Sequence, residues 1–329
     1  MKTRTNRKIY IVNKKRNKRD FQFYMHQFVE SAINCGLTPI SEYQYLTRYK
    51  IRRIIKEILH IIPITPSASF KKNVLVCSQG SSILYNSIPY FFSYNIIPML
   101  WDCWTECWDS LFNQLKILKC KICFVTSSQV ADIISEKFPH MKVFWIPEGI
   151  DMSDYQKGEE LKNREYCLYE LGRQNQKYHE IVIEAYRENI ITSYFRNEYN
   201  EDGSLKKLAF PTYQSLVKEL PNIKIIISFP RSDTHPETAG NIETLTQRYW
   251  EAMLCGCLII GKAPKELIEI IGYDPVINVD WENPKIQLGN IVNNIDNYQK
   301  LADKNYETAL MHASWDYRMK KIKEVLSDL

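Results

Sequence analysis

Short apolar runs alternate with segments of helical apolar spacing in the first part of the chain. The runs are KIYIV, LTPISEY, NVLVCSQ, IIPMLW, KICFVTS and KVFWIP, and each has the length of a strand. Segments between them, such as FQFYMHQFVESAINC and QVADIISEKF, place apolar residues on one helical face. This alternation predicts a parallel, doubly wound sheet. It ends at IPEGIDMSD, residues 146–154, where Pro, Gly and Asp indicate a turn or linker.

A second series of the same kind follows this linker. CLYELG, IKIIISFP, CLIIG and PVINVD are predicted strands with helical segments around them. The stretch 189–210 is polar and weakly patterned, so we predict an irregular insertion there. The sequence therefore predicts an α/β protein with two Rossmann-like doubly wound domains, residues 1–150 and 151–311, which face each other across a cleft.

The composition fits a globular protein of this kind. The chain has 329 residues, of which 45% are apolar and 12% aromatic, so it can bury the cores of two domains. No apolar run approaches the roughly 18 residues of a membrane-spanning helix, and the basic N-terminus lacks the apolar core of a signal peptide. We therefore expect a cytoplasmic protein.

Nine cysteines are scattered through the predicted elements rather than spaced as a disulfide framework, which favours reduced thiols. Cys120 and Cys123 form a C-x-x-C on an apolar strand and have no second pair, so we expect both to be buried structural residues. The same expectation holds for Cys103 and Cys107.

The net charge of +5 includes two basic clusters in the N-terminal part of the chain. One flanks the first strand (Lys2, Arg4, Arg7, Lys8, Lys14, Lys15, Arg16, Lys18 and Arg19), and the other (Arg48, Lys50, Arg52, Arg53 and Lys56) precedes the apolar segment ILHIIPI. Basic residues beside apolar ones are typical of a peripheral contact with an anionic membrane. A solvated basic face is the alternative, and no compact motif indicates nucleic acid.

The segment ETLTQRYWEAMLCGCLIIG, residues 243–261, contains two glutamates eight positions apart. Thr244 and Gln247 have the spacing of a capping box, which predicts a helix from Leu245 that ends at Gly256 before a short strand. Along a helix axis Glu243 and Glu251 would lie about 12 Å apart, the span of a nucleotide sugar rather than of a metal site.

LGRQNQK places Arg173 and Lys177 in a loop between a predicted strand and a predicted helix. Two cations beside a helix N-terminus favour a phosphate group. The chain has no Asp-x-Asp, so we expect these fixed cations, and no metal ion or other cofactor, to hold a diphosphate. The diphosphate would lie near the start of the Leu245 helix, with Glu251 at a ribose and Glu243 at a sugar.

These motifs together resemble the retaining glycosyltransferases of the GT-B fold, of the family 4 type or a close relative. The resemblance rests on LGRQNQK, the E-x7-E of Glu243 and Glu251, EAMLCGCLIIG and IPEGID, and it covers the C-terminal half in detail and the N-terminal half in layout. HASWDYRMKKIKEVL is similar to the last helix of such enzymes, so residues 312–329 are expected to return to the N-terminal domain.

The resemblance implies a hexosyltransferase that moves a sugar from a nucleotide diphosphate sugar to a glycan or lipid-linked acceptor, with retention. It implies acceptor binding by residues 1–150 and donor binding by residues 151–311, in bacterial cell-surface polysaccharide synthesis such as that of lipopolysaccharide or capsule. Two alternatives stay open. One is an epimerase or hydrolase of nucleotide sugars on the same scaffold, and the other is a non-catalytic subunit with this fold.

The site residues follow position by position. Arg173 and Lys177 match the cations that neutralise the leaving diphosphate, Glu251 matches the ribose-binding glutamate, and Glu243 matches the one near the donor sugar. Donor contacts are also expected from neighbouring loop and helix-start residues (Thr244, Leu245, Thr246, Arg248 and Arg231). Thr244-Leu245-Thr246 replaces the Gly-rich turn of the family, and Glu237 is a rival for the role of Glu243.

Acceptor contacts are expected from two loops of the N-terminal domain. CSQGSS follows a strand, and Gly80 would permit close approach of a ligand, although a plain turn is the alternative. LWDCWTECWDS places Asp102 and Glu106 among tryptophans that include Trp101, and carboxylates with aromatic faces suit sugars. Tryptophans in the core are the alternative. Asp102 would be the general base if the enzyme inverts.

Overall fold

The structure is a computed structural model, which describes residues 8–13, 23–41, 49–62, 72–200 and 205–327. The chain divides into two compact units. The first comprises residues 1–148, 237–242 and 315–329, and the second comprises residues 149–236 and 243–314. No pattern in the sequence predicted that the short segment 237–242 would belong to the first unit.

The first unit contains a parallel six-stranded sheet in the order β2-β1-β3-β4-β5-β6. Its strands are β1 Ile9–Asn13, β2 Thr38–Ser41, β3 Asn73–Gln79, β4 Asn95–Trp101, β5 Ile122–Val125 and β6 Lys142–Trp145. Strand β3 is buried on both faces, because Val74 and Val76 belong to one apolar core and Leu75 to another. This explains why the strand is a nearly continuous apolar run.

Helices cover both faces of this sheet. They are α1 Phe23–Asn34, α2 Tyr49–Ile61, α3 Ile83–Phe91, α4 Trp108–Leu118 and α5 Ser128–Lys137. The C-terminal helix, Trp315–Ser327, packs on α1, where Ser31 Oγ donates a 2.6 Å hydrogen bond to Asp316 Oδ1. Arg318 is buried and donates to the carbonyls of Pro147 and Glu148, and burial lowers its pKa to about 10.

The second unit contains a parallel five-stranded sheet in the order β13-β12-β11-β7-β8. Its strands are β7 Tyr166–Glu170, β8 Tyr194–Arg196, β11 Ile223–Ser228, β12 Leu258–Gly261 and β13 Ile277–Asn278, and a separate antiparallel pair is formed by β9 Glu198–Tyr199 and β10 Leu205–Lys207. The predicted irregular insertion at 189–210 is therefore wrong, because this segment supplies an edge strand of the sheet and the short antiparallel pair.

The remaining helices are α6 Gln176–Arg187, α7 Tyr213–Glu219, α8 Arg231–Thr234, α9 Pro236–Ala239, α10 Gln247–Leu254, α11 Lys265–Ile271, α12 Pro284–Asn293 and α13 Gln299–His312, which makes Trp315–Ser327 α14. The second sheet also separates two apolar cores. Tyr249 and Trp250 of α10 lie in one, and Tyr178 and Val182 of α6 lie in the other. The predicted fold class of two Rossmann-like doubly wound domains is confirmed.

All nine cysteines lie within the described residues, and none forms a disulfide. Burial raises the pKa of Cys120 to about 12 and that of Cys107, beside Glu106 and Asp102, to about 11. These thiols stay protonated at neutral pH and are therefore poor nucleophiles. Among the described residues, no helix has both the length and the apolar character needed to cross a membrane.

Candidate active site

The sheet of the second unit has a topological switch point between β7 and β11. From β7 the chain proceeds to β8 on one side, whereas β11 is followed by β12 on the other. In open α/β sheets, ligands bind at the carboxyl ends of strands at such a point. The loops that begin at Leu171 and Phe229 are therefore the expected binding loops of this unit.

The loop after β7 packs against the guanidinium group of Arg248. Gly172 has φ +91°, and a Cβ atom there would lie 2.9 Å from Arg248 Cζ, so a larger residue would strain the backbone and displace the guanidinium group. The next residue, Arg173, is exposed. Asn175 Oδ1 accepts from the Tyr178 amide at 3.2 Å and Asn175 Nδ2 donates to the Asp233 carbonyl at 3.0 Å, which ties this loop to the loop after β11.

Lys177 lies in the first turn of α6 and is exposed. Its Nζ is 5.6 Å from the ring centroid of Trp281, a residue that the sequence analysis missed. Trp281 is half exposed, and its ring also contacts Phe229 and Tyr178. A cation beside an accessible aromatic face lies next to the loop that carries Arg173.

Glu243 forms an ion pair that the sequence did not reveal. Lys262 Nζ lies 2.5 Å from Glu243 Oε1 and 3.1 Å from Asp233 Oδ2. Burial by itself lowers the pKa of Lys262, but the hydrogen bonds to Glu243 and Asp233 outweigh it and hold the pKa above its ordinary value. The only sequence signal was position, since Lys262 follows β12 at the same edge of the sheet.

The helix that carries Glu251 begins later than predicted. Helix α10 starts at Gln247, and the side chain of its N-cap residue Thr246 makes no capping hydrogen bond. The predicted capping box does not form, because the Leu245 amide donates to Glu266 Oε2 at 2.7 Å and Gln247 Nε2 donates to the Gly149 carbonyl at 2.8 Å. The buried Glu266 carboxylate thus accepts the hydrogen bond of a backbone amide that was predicted to face a ligand.

This start changes the positions of several predicted donor residues. Thr244 is buried and Leu245 is fully buried, so their side chains do not offer a ligand surface, whereas Thr246 and Arg248 are partly exposed. Glu243 lies outside α10, so the predicted distance of about 12 Å along one helix axis does not apply.

Glu251 is a buried carboxylate rather than a solvated helix residue. Its Oε1 accepts a 2.9 Å hydrogen bond from the Tyr155 hydroxyl, and the Tyr213 hydroxyl lies 3.1 Å from that of Tyr155 and 2.9 Å from Asp154 Oδ2. Burial raises the pKa of Glu251, while the Tyr155 hydrogen bond and the charge of Arg248 act in the opposite direction. The Glu251 carboxylate is therefore oriented by Tyr155 and acts as a hydrogen-bond acceptor.

Arg231 and Glu237 lie in two short helices after β11. Arg231 is the first residue of α8 and is partly exposed, and the Tyr249 hydroxyl donates to the Lys262 carbonyl close to the same edge. Glu237, the rival of Glu243, is exposed in α9 and belongs to the first unit. Glu243 instead lies in the second unit, with Lys262 and Asp233.

Asp102 occupies an unusual backbone position at the carboxyl end of β4 in the first unit. Its φ is +50°, in the left-handed region that costs a residue with a side chain about 1–2 kcal/mol. Asp102 Oδ2 accepts from Gln79 Nε2 at 2.9 Å and from the Tyr24 hydroxyl at 3.3 Å. The sequence analysis did not include Gln79 or Tyr24, although Gln79 is the last residue of β3.

Two residues that were predicted to contact an acceptor are buried. Trp101 is fully buried among Phe28 and Trp315, so it is a core residue and not a sugar-binding face. Gly80 is buried, and a Cβ atom there would lie 2.9 Å from Cys103 Sγ, so the lack of a side chain serves packing rather than ligand approach. Glu106 is exposed in a 3₁₀ turn over Thr105–Cys107.

The described part of the chain contains no group of three or more His, Cys, Asp or Glu side chains arranged to hold a metal ion. The cations in the loops and helix starts beside the switch point include Arg173, Lys177, Arg231, Arg248 and Lys262, and the acidic groups include Glu243, Asp233 and Glu251. Cations at this edge of the second unit favour an anionic ligand, and carboxylates lie beside them.

Comparisons with known proteins define the fold. No protein-family model matches the sequence, and no curated protein matches it. Sucrose-phosphate synthase from Thermosynechococcus elongatus is similar in structure, with a TM-score of 0.58 and 11% identity over 97% of this chain and 98% of that chain. HepE from Anabaena in complex with UDP and glucose has a TM-score of 0.58 and 10% identity over 98% and 100%.

TarM is also similar, with a TM-score of 0.55 and 10% identity over 84% of this chain and 57% of its own length. At these identities the likeness concerns the fold alone. The chain has the GT-B type of architecture, with two Rossmann-like domains.

Proposed function

We propose that this protein is a glycosyltransferase that moves a sugar from a nucleotide diphosphate sugar to an acceptor. The observation that carries the proposal is a chain of contacts along the loops after β7, β11 and β12. Arg248 packs on Gly172, beside Arg173, and its charge acts on Glu251. Asn175 of the same loop donates to the Asp233 carbonyl, and Lys262 joins Asp233 to Glu243. The likeness to HepE, known in complex with UDP and with UDP-glucose, supports a nucleotide sugar as donor.

In the proposed mechanism, cations bind and stabilise the diphosphate as it leaves. Arg173, Lys177 and Arg248 supply this charge in place of a metal ion, and Arg248 is packed against Gly172. Glu251 accepts hydrogen bonds from ribose hydroxyls, and Glu243 from the transferred hexose. These roles are those of the E-x7-E glutamates in retaining family 4 enzymes, where a donor phosphate oxygen takes the acceptor proton.

Lys262 gives this site the charge balance that a diphosphate needs. Glu243 and Asp233 would repel the ligand if they were unpaired, and Lys262 offsets half of their combined charge through contacts of 2.5 and 3.1 Å. The same pairing aims Glu243 while leaving its hydrogen-bonding oxygens able to accept from a sugar hydroxyl. Lys262 is therefore proposed as a residue that positions Glu243.

The proposed acceptor is a glycan or a lipid-linked precursor in bacterial cell-surface polysaccharide synthesis. Asp102 supports an acceptor site in the first unit, because a strained backbone at a strand end is typical of functional positions and Gln79 and Tyr24 hold its carboxylate. Glu106 is exposed on the turn that follows Asp102. If the reaction inverts, Asp102 is the proposed general base.

We also propose a peripheral contact with the inner, anionic face of the cytoplasmic membrane, and the exposed surface of helix α2 supports it. Ile51, Ile54, Ile58 and Ile61 recur at helical spacing and are exposed by 45%, 59%, 41% and 80%, which forms an apolar stripe. Lys50 and Arg53 of the same helix are exposed and suit anionic headgroups.

The rest of the predicted basic clusters is only partly described. Arg52 is buried, with its guanidinium 5.6 Å from the Tyr85 ring centroid, so it does not contribute to a basic surface as predicted. Lys56 is partly exposed and Lys8 is exposed. Arg48 and the other basic residues of the N-terminal cluster (Lys2, Arg4, Arg7, Lys14, Lys15, Arg16, Lys18 and Arg19) lie outside the described residues.

Calorimetric titration of the purified chain with UDP, GDP, dTDP, ADP and CMP, in the presence of EDTA, tests the proposed function. We expect one nucleoside diphosphate to bind selectively without metal. Sugar release from the matching donor in the absence of acceptor would instead favour the epimerase or hydrolase alternative. If the folded protein binds none of the nucleotides, the proposal is wrong and a non-catalytic subunit with this fold is the better account.

A further inference from the structure

A cavity lies beside the edge strand β8 of the second unit, apart from the switch point. It has a volume of about 640 Å³ and is lined by residues of α6, β8, β9, β10 and the segment after β10 (Ile183, Tyr186, Arg187, Tyr194, Phe195, Arg196, Glu198, Lys207, Leu208 and Ala209). This volume falls within the roughly 300–1,000 Å³ of small-molecule sites. None of its lining residues belongs to the loops at the switch point between β7 and β11.

The charged groups of this cavity are mainly cationic. Arg187, Arg196 and Lys207 line it and are exposed. Its one acidic lining residue, Glu198, lies 3.7 Å from Lys206 Nζ, so its charge is already compensated. Three cations around one concave surface favour a ligand that carries an anionic group.

Arg196 is held in place by a buried network. Its Nη1 donates to His179 Nε2 at 2.5 Å, and His179 Nδ1 lies 2.7 Å from Glu170 Oε2. Because a guanidinium group only donates, Nε2 must accept, and the proton on Nδ1 is donated to Glu170. The Tyr194 hydroxyl also donates to Glu170 Oε2. Buried side chains that fix the orientation of an exposed arginine are typical of a binding site.

Aromatic rings lie next to these cations. Tyr186 is 48% exposed, and its ring centroid is 5.9 Å from that of Tyr194 at an interplanar angle of 50°. Phe195 lines the same cavity. The C–H face of a sugar ring packs on such an aromatic surface, while an anionic substituent of the sugar reaches the guanidinium groups.

We propose that this cavity is a second binding site, for a sugar unit that carries a carboxylate or a phosphate. Arg196 binds the anionic group, Lys207 and Arg187 add charge, and Tyr186 contacts the sugar ring. The site is separate from the proposed donor site, so its occupation does not depend on glycosyl transfer. A glycan with acidic units would thereby be held on the donor-binding unit away from the switch point.

Calorimetry of the full chain with glucuronate, glucose 6-phosphate, glucose and inorganic phosphate tests this site. We expect at least one anionic sugar to bind, glucose not to bind, and inorganic phosphate to bind more weakly than the preferred sugar. Preference for glucuronate would identify a carboxylate ligand, and preference for glucose 6-phosphate would identify a phosphorylated one. Tyr186→Ala should lower the affinity for the anionic sugar but leave the affinity for inorganic phosphate unchanged.

Substitutions locate the binding. Arg196→Gln and Lys207→Gln should each lower the affinity for the anionic sugar by about tenfold, as expected for the loss of a charge-assisted contact. Lys300→Gln, at an exposed position on α13, is the matched control and should bind as the wild type does. Lys207→Gln keeps the test valid if Arg196→Gln disturbs the buried network, because no network residue is changed.

Competition with nucleotides separates the two sites. An anionic sugar in this cavity should bind equally well in the presence of saturating UDP and in Arg173→Ala. If UDP displaces the sugar and Arg173→Ala abolishes its binding, the sugar occupies the switch point and the second site does not exist. If a folded protein binds neither glucuronate nor glucose 6-phosphate, the inference is also overturned, whether or not UDP binds.

Discussion

Lys262 and Glu243 form a close ion pair, with 2.5 Å between Nζ and Oε1, although they are in different loops and nineteen positions apart. Lys262 also contacts Asp233 Oδ2 at 3.1 Å. The pair lies at the carboxyl ends of β11 and β12, where parallel strands bring their following residues together. It places one ammonium group between two carboxylates, beside the cations proposed to bind a diphosphate.

Lys262→Met should lower the affinity for the preferred nucleoside diphosphate by about tenfold, because two uncompensated carboxylates would repel that ligand. The free energy of unfolding should fall by about 1 kcal/mol or less, as for other partly exposed ion pairs. Lys262→Arg keeps the charge and should restore most of the affinity. If both variants bind like the wild type in calorimetry, Lys262 does not position Glu243 for the ligand.

Gly172→Ala should lower both stability and nucleotide affinity. The alanine would pay about 1–2 kcal/mol for its left-handed backbone and would also displace the Arg248 guanidinium. Gly272→Ala is a matched control, since Gly272 has φ +80° and nothing within 4 Å of a Cβ atom. Chemical denaturation and calorimetry should show a larger loss for Gly172→Ala in both quantities. Equal effects of the two variants would argue against a role of the Gly172–Arg248 contact.

Arg173→Ala should lower the affinities for the nucleotide sugar and for the free nucleoside diphosphate by the same factor, about tenfold to a hundredfold. The reason is that the lost contact is to phosphate, which both ligands share. Titration of both ligands against the variant and the wild type measures the two factors. Unchanged affinity for both ligands would remove Arg173 from the phosphate site.

The buried Glu251 should make stability depend on pH. Because its pKa in the folded protein lies above the ordinary value of 4.5, the folded state binds more protons than the unfolded chain between those two values. The contribution of Glu251 to stability is therefore full below pH 4.5 and declines as the pH rises through that window.

Glu251→Gln removes this titration. Urea denaturation between pH 4 and 7 should show that the stability of the variant relative to the wild type increases as the pH rises. The Tyr155 hydroxyl can still donate to the glutamine oxygen, so the variant should remain folded. Parallel stability profiles of the two proteins would contradict a raised pKa.

The isoleucine stripe of α2 should bind membranes. Vesicles that contain an anionic phospholipid should sediment with the wild type, whereas Ile54→Glu and Ile58→Glu should reduce the bound fraction several-fold by loss of apolar burial and by charge repulsion. Ile286→Glu, at a still more exposed isoleucine of α12, is the control and should leave binding unchanged. Binding that is insensitive to the α2 substitutions would assign the contact to another surface.

The secondary structure was largely predictable because its signals are local. Apolar runs and helical spacing predicted the sheet strands other than β8 and several of the helices, among them α1, α5 and α14. The loop positions of Arg173 and Glu243 followed from them. The prediction for the segment 189–210 was wrong because β8 is only three residues long. Its pairing with β7, which is distant in the sequence, stabilises it. Short edge strands carry too little pattern of their own.

The local sequence also misassigned the environment of several residues. Trp101 and Arg52 were candidates for ligand or membrane contact, and both are buried. Thr244 and Gln247 have the spacing of a capping box, yet Glu266 binds the Leu245 amide instead. A side chain from another element competes for the same hydrogen bond, and such competition is invisible in a sequence window.

The sequence by itself determined the α/β class, the two doubly wound series and the residues that follow each strong strand, because these depend on contacts between near neighbours in the chain. Only the tertiary structure decided that Lys262 pairs with Glu243, that Arg248 packs on Gly172, and that a buried Glu170–His179 pair holds Arg196. Parallel strands joined by crossover helices bring together residues that are far apart in the chain. The chemistry of both proposed sites therefore arises from the crossovers rather than from any single motif.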